Sequence, residues 1–432
     1  MVALLYNLLL ILAFPLVFVY FLWRILVALK SNESWRENLG ALPTLSNRKP
    51  EKKLIWLHAA SVGEVMASLP LQKELRRLMP DAFILVTTMT QTGNAVARKS
   101  AVDADAVAYL PIDYLFTVNR ALNRVRPDII VIMEAELWPN FLWMAKKRGI
   151  PTVMANGRII NRTKRRGQSW RSWMVSNLNY CCMQTQVDAR RIIEMGACET
   201  SVKIFGNMKF DQEGGKLSPE AASELRASLG FRECDPVFVA GSTNPGEEEP
   251  ILSAFQSMKK NTPNLRLVIA PRQIERGGDI RTMAESLGFK CARRSEKDKQ
   301  ISEFDVLILD TFGELGTSYA VGELAFVGGT LIPKGGHSIL QPLIQGKPVL
   351  FGPHTFKTRD IAQLAIDAGV GFQVTGENEL AEIGGSLLLD AQRRSEIEKV
   401  CEKLVQENRG ASARSAALVA ELLESKTARQ DG

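Results

Sequence analysis

The sequence predicts an α/β protein in which two Rossmann-like domains follow an N-terminal membrane-anchor helix. The chain has 432 residues, which is too long for one ordinary hydrophobic core and fits two domains of roughly 200 residues each. Short apolar runs alternate with amphipathic segments through both halves, which is typical of parallel sheets covered by helices. Apolar residues make up 46% of the chain and charged residues 23%, a composition of globular rather than disordered proteins.

Residues 1–30 form the predicted anchor. The stretch from Val2 to Trp23 carries no charge and is long enough to cross a hydrocarbon core of roughly 30 Å. The basic residues Arg24, Lys30 and Arg36 follow this stretch, which argues against a cleaved signal peptide and predicts that the rest of the chain lies on the cytoplasmic side. A helix lying in the membrane surface is the alternative.

Residues 31–211 form the first predicted domain, residues 212–219 a linker rich in Gly and charge, and residues 220–432 the second domain with its helical tail. The strands predicted for the first domain are Leu54–Leu57, Phe83–Thr87, Val107–Leu110, Ile129–Met133, Thr152–Ala155, Tyr180–Met183 and Val202–Phe205. Those predicted for the second domain are Val237–Ala240, Leu265–Ala270, Asp305–Leu309, Leu324–Val327 and Pro348–Phe351.

The stretch from Leu54 to Pro70 places a carboxylate at a ligand-binding position. A buried strand runs into a turn of small residues, where Ser61 is a helix N-cap candidate and Gly63 permits close approach of the backbone. Glu64 then lies in the first turn of a helix at the carboxyl end of a parallel strand, the edge where open α/β sheets bind ligands. The alternative is a capping Glu that only favours the helix dipole. Because that dipole favours the charged form, we predict that Glu64 is ionised at neutral pH.

Further charged residues follow later strands at the same predicted edge. Glu134 and Glu136 come directly after the strand Ile129–Met133, and carboxylates that converge from two strands need a proton or a cation to coexist. Lys209 follows the last strand of the first domain and could neutralise a leaving phosphate. The alternatives are acids that satisfy a helix dipole and a lysine on the surface of a hinge.

Four turns of the second domain follow predicted strands and could bind an anion through exposed backbone N–H groups or arginine. They are Gly241–Asn244, Pro271-Arg272, Thr311–Gly316 and the glycine-rich loop 328–338. Their succession at strand ends predicts a nucleotide-phosphate pocket. Neither half opens with G-x-G-x-x-G and the sequence has no P-loop, which argues against dinucleotide oxidoreductases and ATPases. Six cysteines and three histidines show no metal-ligand spacing, so we predict no metal site.

A net charge of +7 indicates anionic partners. The segment 146–171 contains nine basic residues and no acid, with Trp170 and Trp173 at its end. The basic residues are Lys146, Lys147, Arg148, Arg158, Arg162, Lys164, Arg165, Arg166 and Arg171. We interpret this segment as a surface for an anionic membrane or a phosphorylated acceptor. A membrane-tethered position makes nucleic acid the less suitable partner, and we expect none.

Taken in order, the motifs resemble those of the membrane-anchored Kdo transferases, which transfer 3-deoxy-D-manno-octulosonic acid (Kdo) from CMP-Kdo to a lipid A precursor. The resemblance extends from the N-terminus to about Ile366. In the first half it is carried by His58, Ser61–Glu64, Thr87–Thr90, Thr92-Gly93, Glu134–Asn140, Gly206-Asn207 and Lys209–Asp211. In the second half it is carried by Ser242-Thr243, Gly246–Glu248, Pro271-Arg272, Glu275-Arg276, Phe326–Gly329, Gly335–His337 and Gly352–His354.

This resemblance implies a GT-B glycosyltransferase architecture and an inverting transfer without metal or other cofactor, at the cytoplasmic face of a bacterial inner membrane. Glu64 would be the general base, and Glu134 and Lys209 would assist the transition state. The implied CMP contacts are Pro271, Arg272, Phe312, Gly313, Glu314, Ser338, Ile339, Leu340 and Gln341. A lipid A precursor of the lipid IVA type would be the acceptor.

The chain departs from the family pattern at several donor positions. The family usually has Asn and Glu where this chain has Ser338 and Gln341, and histidines in place of Asn244 and Gln273. An amide at Gln341 can still accept a hydrogen bond from a ribose hydroxyl but carries no charge. The alternatives are therefore a GT-B glycosyltransferase that uses another nucleotide sugar and a membrane-tethered protein that binds a sugar nucleotide without catalysis.

Overall fold

The computed structural model describes residues 2–28, 32–43, 51–159, 168–212, 214–296 and 303–428. The chain forms two compact units. The first contains Met1–Gln212 together with Asn408–Gly432, and the second contains Glu213–Glu407.

In the described part of the first domain, seven parallel strands form one sheet in the order β3-β2-β1-β4-β5-β6-β7. The strands are β1 (Leu54–His58), β2 (Phe83–Thr88), β3 (Ala106–Tyr109), β4 (Ile129–Met133), β5 (Thr152–Gly157), β6 (Tyr180–Met183) and β7 (Val202–Ile204). The helices are α1 (Val2–Ala28), α2 (Asn32–Asn38), α3 (Val62–Leu78), α4 (Gln91–Ser100), α5 (Leu115–Val125), α6 (Pro139–Lys147), α7 (Gln168–Val175) and α8 (Gln186–Glu194).

Helices cover both faces of this sheet, which explains why its central strands are continuously apolar. In β1, Ile55 and Leu57 enter one core, whereas Leu54 and Trp56 enter the core on the opposite face. Every residue of β1 is buried. The carboxyl ends of β1 and β4 are neighbours, because these two strands pair directly.

The described part of the second domain holds another seven-stranded parallel sheet, in the order β10-β11-β9-β8-β12-β13-β14. The strands are β8 (Val237–Thr243), β9 (Arg266–Pro271), β10 (Cys291–Arg293), β11 (Val306–Ile308), β12 (Leu324–Val327), β13 (Val349–Phe351) and β14 (Gly371–Gln373). The remaining helices are α9 (Pro219–Ser228), α10 (Glu248–Asn261), α11 (Gly277–Ser286), α12 (Leu315–Ser318), α13 (Leu340–Ile344), α14 (Arg359–Asp367), α15 (Glu377–Leu389), α16 (Ala391–Asn408) and α17 (Ala411–Ala428). The predicted fold class of two parallel α/β domains is confirmed.

The last helix differs from expectation, because α17 belongs to the first domain although residues 220–432 were predicted to form the second. It packs on α3, and Ala416, Val419 and Leu423 enter the same core cluster as Val65. The carboxylate of Asp211 accepts the backbone N–H groups that open this segment. The chain therefore returns to the first domain after α16.

The first turns of α1 lie against the first domain through polar contacts. The Tyr6 hydroxyl donates to Asp113 at 2.9 Å, and the side-chain amides of Asn7 and Asn140 exchange two hydrogen bonds, each of 2.9 Å. Among the described residues, no helix is both long and apolar enough to cross a membrane. The predicted spanning anchor at residues 1–30 is therefore not supported.

Candidate active site

Glu64 lies where β1 gives way to α3, and its carboxylate is held by the turn that precedes it. Ser61 is the N-cap residue, as predicted, but its hydroxyl bonds the carboxylate instead of the helix backbone. The Ala60 N–H donates to Glu64 Oε2 at 2.8 Å, and Ser61 Oγ donates to Oε1 at 3.0 Å. The side chain is buried, with 8% of the residue exposed. This arrangement is a variant of the capping box and fixes the direction of both carboxylate oxygens.

Burial raises the pKa of Glu64 from its usual 4.5 to about 7. The hydrogen bond from Ala60 lowers it, whereas the nearby carboxylates of Glu136 and Glu134 raise it further. The prediction that Glu64 is ionised at neutral pH is therefore wrong, because burial disfavours the charged form of its carboxyl group.

Glu134 and Glu136 lie on the loop between β4 and α6, and both act electrostatically on Glu64. Glu134 has a left-handed backbone with φ of 53°, which few residues other than glycine adopt, and this turns the chain sharply away from β4. Glu136 accepts a hydrogen bond from Trp138 Nε1 at 3.2 Å, and burial raises the pKa of its carboxyl group. The predicted convergence of acids from two strands is present in the structure.

The turn before Glu64 is fixed from the side by the loop after β2. The N–H groups of Met89 and Thr90 both donate to the Ala60 carbonyl, at 3.0 and 3.2 Å. Gly93 packs so closely here that a Cβ would lie 3.3 Å from that carbonyl oxygen. A Cβ on Gly63, in contrast, would meet only Ser61 Oγ at 4.0 Å, so the space beside the Glu64 turn is open on this side.

His58 ends β1 and is fully buried. Its Nδ1 lies 3.1 Å from both the carbonyl and the hydroxyl oxygen of Thr87, and burial lowers its pKa to about 4, so the ring is neutral. Within the described chain its Nε2 has no hydrogen-bond partner.

Lys209 lies on a 3₁₀ turn, Met208–Asp211, that packs against α3, the helix that carries Glu64 in its first turn. The backbone of the turn is held by two asparagines. Asn207 accepts the Lys209 N–H, and Asn156 accepts the Met208 N–H, each at 3.0 Å. The turn is therefore a defined part of the first domain, and Lys209 itself is half-buried.

In the second domain, Arg272 follows β9 and is exposed. Burial lowers the pKa of His337 to about 4, and the positive charges of Arg272 and Lys357 lower it further. Both cations are therefore close enough to the ring to act on it electrostatically. The Asn244 amide lies 3.4 Å from His337 Nε2. The sequence placed His337 in an anion-binding turn without giving its side chain a role. It did not predict Lys357, which no local pattern marks.

The glycine-rich turns of this domain are joined by one buried carboxylate. Glu247, the N-cap residue of α10, accepts the N–H groups of Asn244, Gly329, Thr330 and Leu331 at 2.7 to 3.0 Å. These four bonds tie the turn after β8 to the turn after β12.

The predicted donor contacts Phe312, Gly313 and Glu314 are consecutive in the sequence but differ in their surroundings. Phe312 is 81% exposed, and Gly313 has a left-handed φ of 85°. Glu314 pairs with Arg294 at 3.0 Å. A cavity of about 260 Å³ brings Gly313 together with Gln341. It is lined by Gly214, Gly215, Gly313, Gly316, Thr317, Gln341, Ile344 and Gln345.

The loop 338–341 contains two polar side chains that are partly accessible to a ligand and two apolar side chains that are buried. Ser338 and Gln341 are half-buried, whereas Ile339 and Leu340 are only 1% and 4% exposed. Any contact from Ile339 or Leu340 would therefore come from the backbone. Pro271 is buried as the last residue of β9.

The predicted basic surface is only partly described. Lys147 lies over the Trp143 ring, 4.3 Å from its centroid, and Arg148 donates to the side chain of Asn123. Arg162, Lys164, Arg165 and Arg166 lie outside the described residues. Where side chains are described, no group of three or more His, Cys, Asp or Glu could hold a metal ion.

Comparison with known proteins points to one family. Residues 33–212 match a family model described as 3-deoxy-D-manno-octulosonic-acid transferase (kdotransferase). The 3-deoxy-D-manno-octulosonic acid transferase of Haemophilus influenzae is 31% identical over 379 residues, covering 87% of this chain and 88% of that protein. The enzyme of the same name from Aquifex aeolicus is 32% identical over 329 residues, covering 76% and 84%.

A solved structure shares the fold. UDP-GlcNAc 2-epimerase from Neisseria meningitidis, bound to UDP-GlcNAc, superposes with a TM-score of 0.52 at 15% identity, covering 86% of this chain and 100% of that one.

Proposed function

Since the chain belongs to the Kdo transferases, and is therefore a glycosyltransferase, we propose that it moves Kdo from CMP-Kdo to a lipid A precursor of the lipid IVA type. The observation that carries the mechanism is the buried carboxyl group of Glu64, oriented by two hydrogen bonds and surrounded by further acids. We propose that Glu64 is the general base of an inverting displacement.

In this mechanism an acceptor hydroxyl attacks the anomeric carbon of Kdo while its proton passes to a carboxylate oxygen of Glu64. The bond between the anomeric carbon and the phosphate oxygen breaks, and CMP leaves with the electron pair. A base works best when its pKa is near the working pH, and a pKa of about 7 meets that condition. Glu134 and Lys209 would assist by balancing the charge that develops.

Binding of CMP-Kdo is assigned to the second domain, whose turns supply hydrogen-bond donors and positive charge. Arg272 and Lys357 flank the neutral ring of His337, so the group is cationic. Such a group can stabilise the departing phosphate, and we therefore propose that transfer needs no metal. Gly313 and Gln341 line a cavity of the same domain. The neutral amide at Gln341 is the feature that favours the second candidate, transfer from a different nucleotide sugar.

We also propose that the protein works at the surface of a bacterial inner membrane, facing the cytoplasm. In α1, the side chains of Leu4, Leu8 and Leu12 are 77%, 50% and 68% exposed. Such a group of exposed leucines on one helix is unusual on the surface of a soluble protein. Replacing these three leucines by Asn should lower the fraction that floats with vesicles containing anionic lipid. Val102→Asn changes an equally exposed apolar side chain elsewhere and should have no effect.

The direct test of the activity is the mass of the product formed from CMP-Kdo and a lipid A precursor in detergent micelles. A mass gain of one or more Kdo units supports the proposal. A gain with another nucleotide sugar but none with CMP-Kdo would support the second candidate. Specific binding of CMP-Kdo without any product would support the non-catalytic alternative.

A further inference from the structure

The two polar side chains among residues 2–15 of α1 both contact the first domain. Tyr6 donates its hydroxyl to Asp113, and Asn7 forms the reciprocal amide pair with Asn140. The Tyr6 ring also packs on Trp170, with 4.8 Å between centroids. These contacts fix the rotation of α1 and leave Leu4, Leu5, Leu8, Leu9 and Leu12 exposed.

Asn140 is the second residue of α6, and Asp113, from the loop before α5, contacts the beginning of that helix. The N-cap residue of this helix, Trp138, makes no capping hydrogen bond, so its first amides need a partner from elsewhere. Asp113 supplies it, because its carboxylate accepts the N–H groups of Asn140 and Phe141, both at 2.9 Å. The Asn140 side chain in turn donates to the Asp113 carbonyl. Both residues are nearly inaccessible to solvent.

The beginning of α6 is also the end of the loop that carries two of the active-site acids. Only five residues separate the last residue of β4, Met133, from the first of α6, Pro139, and they include Glu134 and Glu136. One end of this short loop is fixed by the sheet and the other by the Asp113 cap. The position of both acids relative to Glu64 therefore depends on that cap.

We propose that α1 is a positioning element of the active site, in which Tyr6 and Asn7 hold the Asp113–Asn140 cap and thereby place Glu134 and Glu136 beside Glu64. This inference rests on the proposed function for its effect on transfer, but its structural part does not. The position of the loop that carries Glu134 and Glu136 then depends on the contacts of a membrane-facing helix.

The test uses the full-length double variant Tyr6→Phe/Asn7→Leu, which removes the hydrogen bonds and keeps the bulk and apolar character of α1. Its matched control is Leu9→Asn, a change of opposite polarity on an outward-facing side chain that is 56% exposed. Hydrogen–deuterium exchange of peptides spanning residues 134–142 reports on the order of the loop and does not depend on enzymatic activity. Steady-state transfer in detergent micelles separates kcat from the KM values without requiring membrane binding.

We expect faster exchange in residues 134–142 of the double variant and unchanged exchange in β6 of the same domain, which serves as the folding reference. The kcat should fall about tenfold or more because small misplacements of catalytic groups are costly, while the KM for CMP-Kdo stays within about twofold. The control should match the wild type in both measurements. Unchanged exchange in the double variant, or changed exchange with normal kcat, would overturn the positioning role.

Failure of the proposed function is recognised separately. If the wild type transfers no Kdo, the exchange experiment still decides whether α1 holds the loop. A loss of protection that includes β6 would mean unfolding of the first domain, and the milder single variant Tyr6→Phe would then provide the deciding exchange measurement. Normal exchange in that single variant would overturn the inference.

Discussion

Replacing Glu64 by Gln should abolish transfer while leaving the local structure intact. The amide oxygen can accept the Ala60 N–H, and the amide nitrogen can donate to Ser61 Oγ, because a serine hydroxyl both donates and accepts. The variant therefore keeps both contacts of the turn and loses only the ability to take a proton. A positioned base contributes about 10²–10⁴-fold, and we expect kcat to fall by that factor. Binding of CMP, assigned to the second domain, should change little.

The same substitution makes a prediction about stability whose sign follows from the pKa. The folded pKa of Glu64 is about 7, above the usual 4.5, so the folded state binds the proton more tightly than the unfolded state. The wild type therefore loses stability as the pH rises from about 4.5 to about 7, by up to about 3 kcal/mol. A glutamine side chain does not titrate, so the stability of the Glu64→Gln variant should rise relative to that of the wild type over this pH range. At pH 8 the variant should therefore melt at a higher temperature than the wild type.

Two measurements check these expectations. The rate of Kdo transfer by the wild type should rise with pH to a plateau with an apparent pKa near 7, and thermal unfolding should be followed at pH 5 and pH 8. Glu74→Gln is the matched control, since Glu74 lies on the same helix and, among the described residues, pairs with the exposed Arg77. The reasoning is refuted if the Glu64→Gln variant keeps near-normal transfer, or if its stability relative to the wild type is the same at both pH values.

Four further substitutions test other parts of the site. Arg272→Ala and Lys357→Ala should each raise the KM for CMP-Kdo by about tenfold by removing a charge-assisted contact, and an unchanged KM would exclude that residue from donor binding. Glu247→Gln should lower the free energy of unfolding of the second domain by about 2–4 kcal/mol in denaturant titrations, because one amide oxygen cannot accept four N–H groups; an unchanged transition would contradict this. Gly63→Ala should preserve or slightly raise the melting temperature but raise the KM for the acceptor, and normal acceptor kinetics would show that the open space is not used.

The fold could be predicted from the sequence because the central strands are buried on both faces. Strands such as β4 and β12 are continuous apolar runs, and their predicted bounds agree with the structure. The two strands that were missed, Cys291–Arg293 and Gly371–Gln373, are three-residue strands at the two edges of the second sheet. Their short length leaves no alternation to detect.

The destination of α17 could not be predicted, because the choice between domains depends on distant partners. Its small apolar residues would suit the surface of either sheet. The helix joins the first domain because it packs on α3 and because the Asp211 carboxylate, about 200 residues earlier in the chain, accepts the N–H groups at its start. The same limit applies to Lys357, which becomes a site residue only through its proximity to His337.

For Glu64, the pattern correctly gave its place on the fold but not its ionisation, since the helix dipole is local and visible in sequence whereas desolvation and the two acids of the β4–α6 loop are not. The hydrogen bonds of the turn also leave a capping role and the proposed catalytic role of Glu64 compatible. Each carboxylate oxygen accepts one hydrogen bond from the turn, and a carboxylate oxygen has two lone pairs. The cap therefore orients the group without using its full capacity to accept. In the proposed role as a base, Glu64 would gain its basicity from burial and its direction from the N-cap turn, so the residues that start α3 would also orient the proton acceptor.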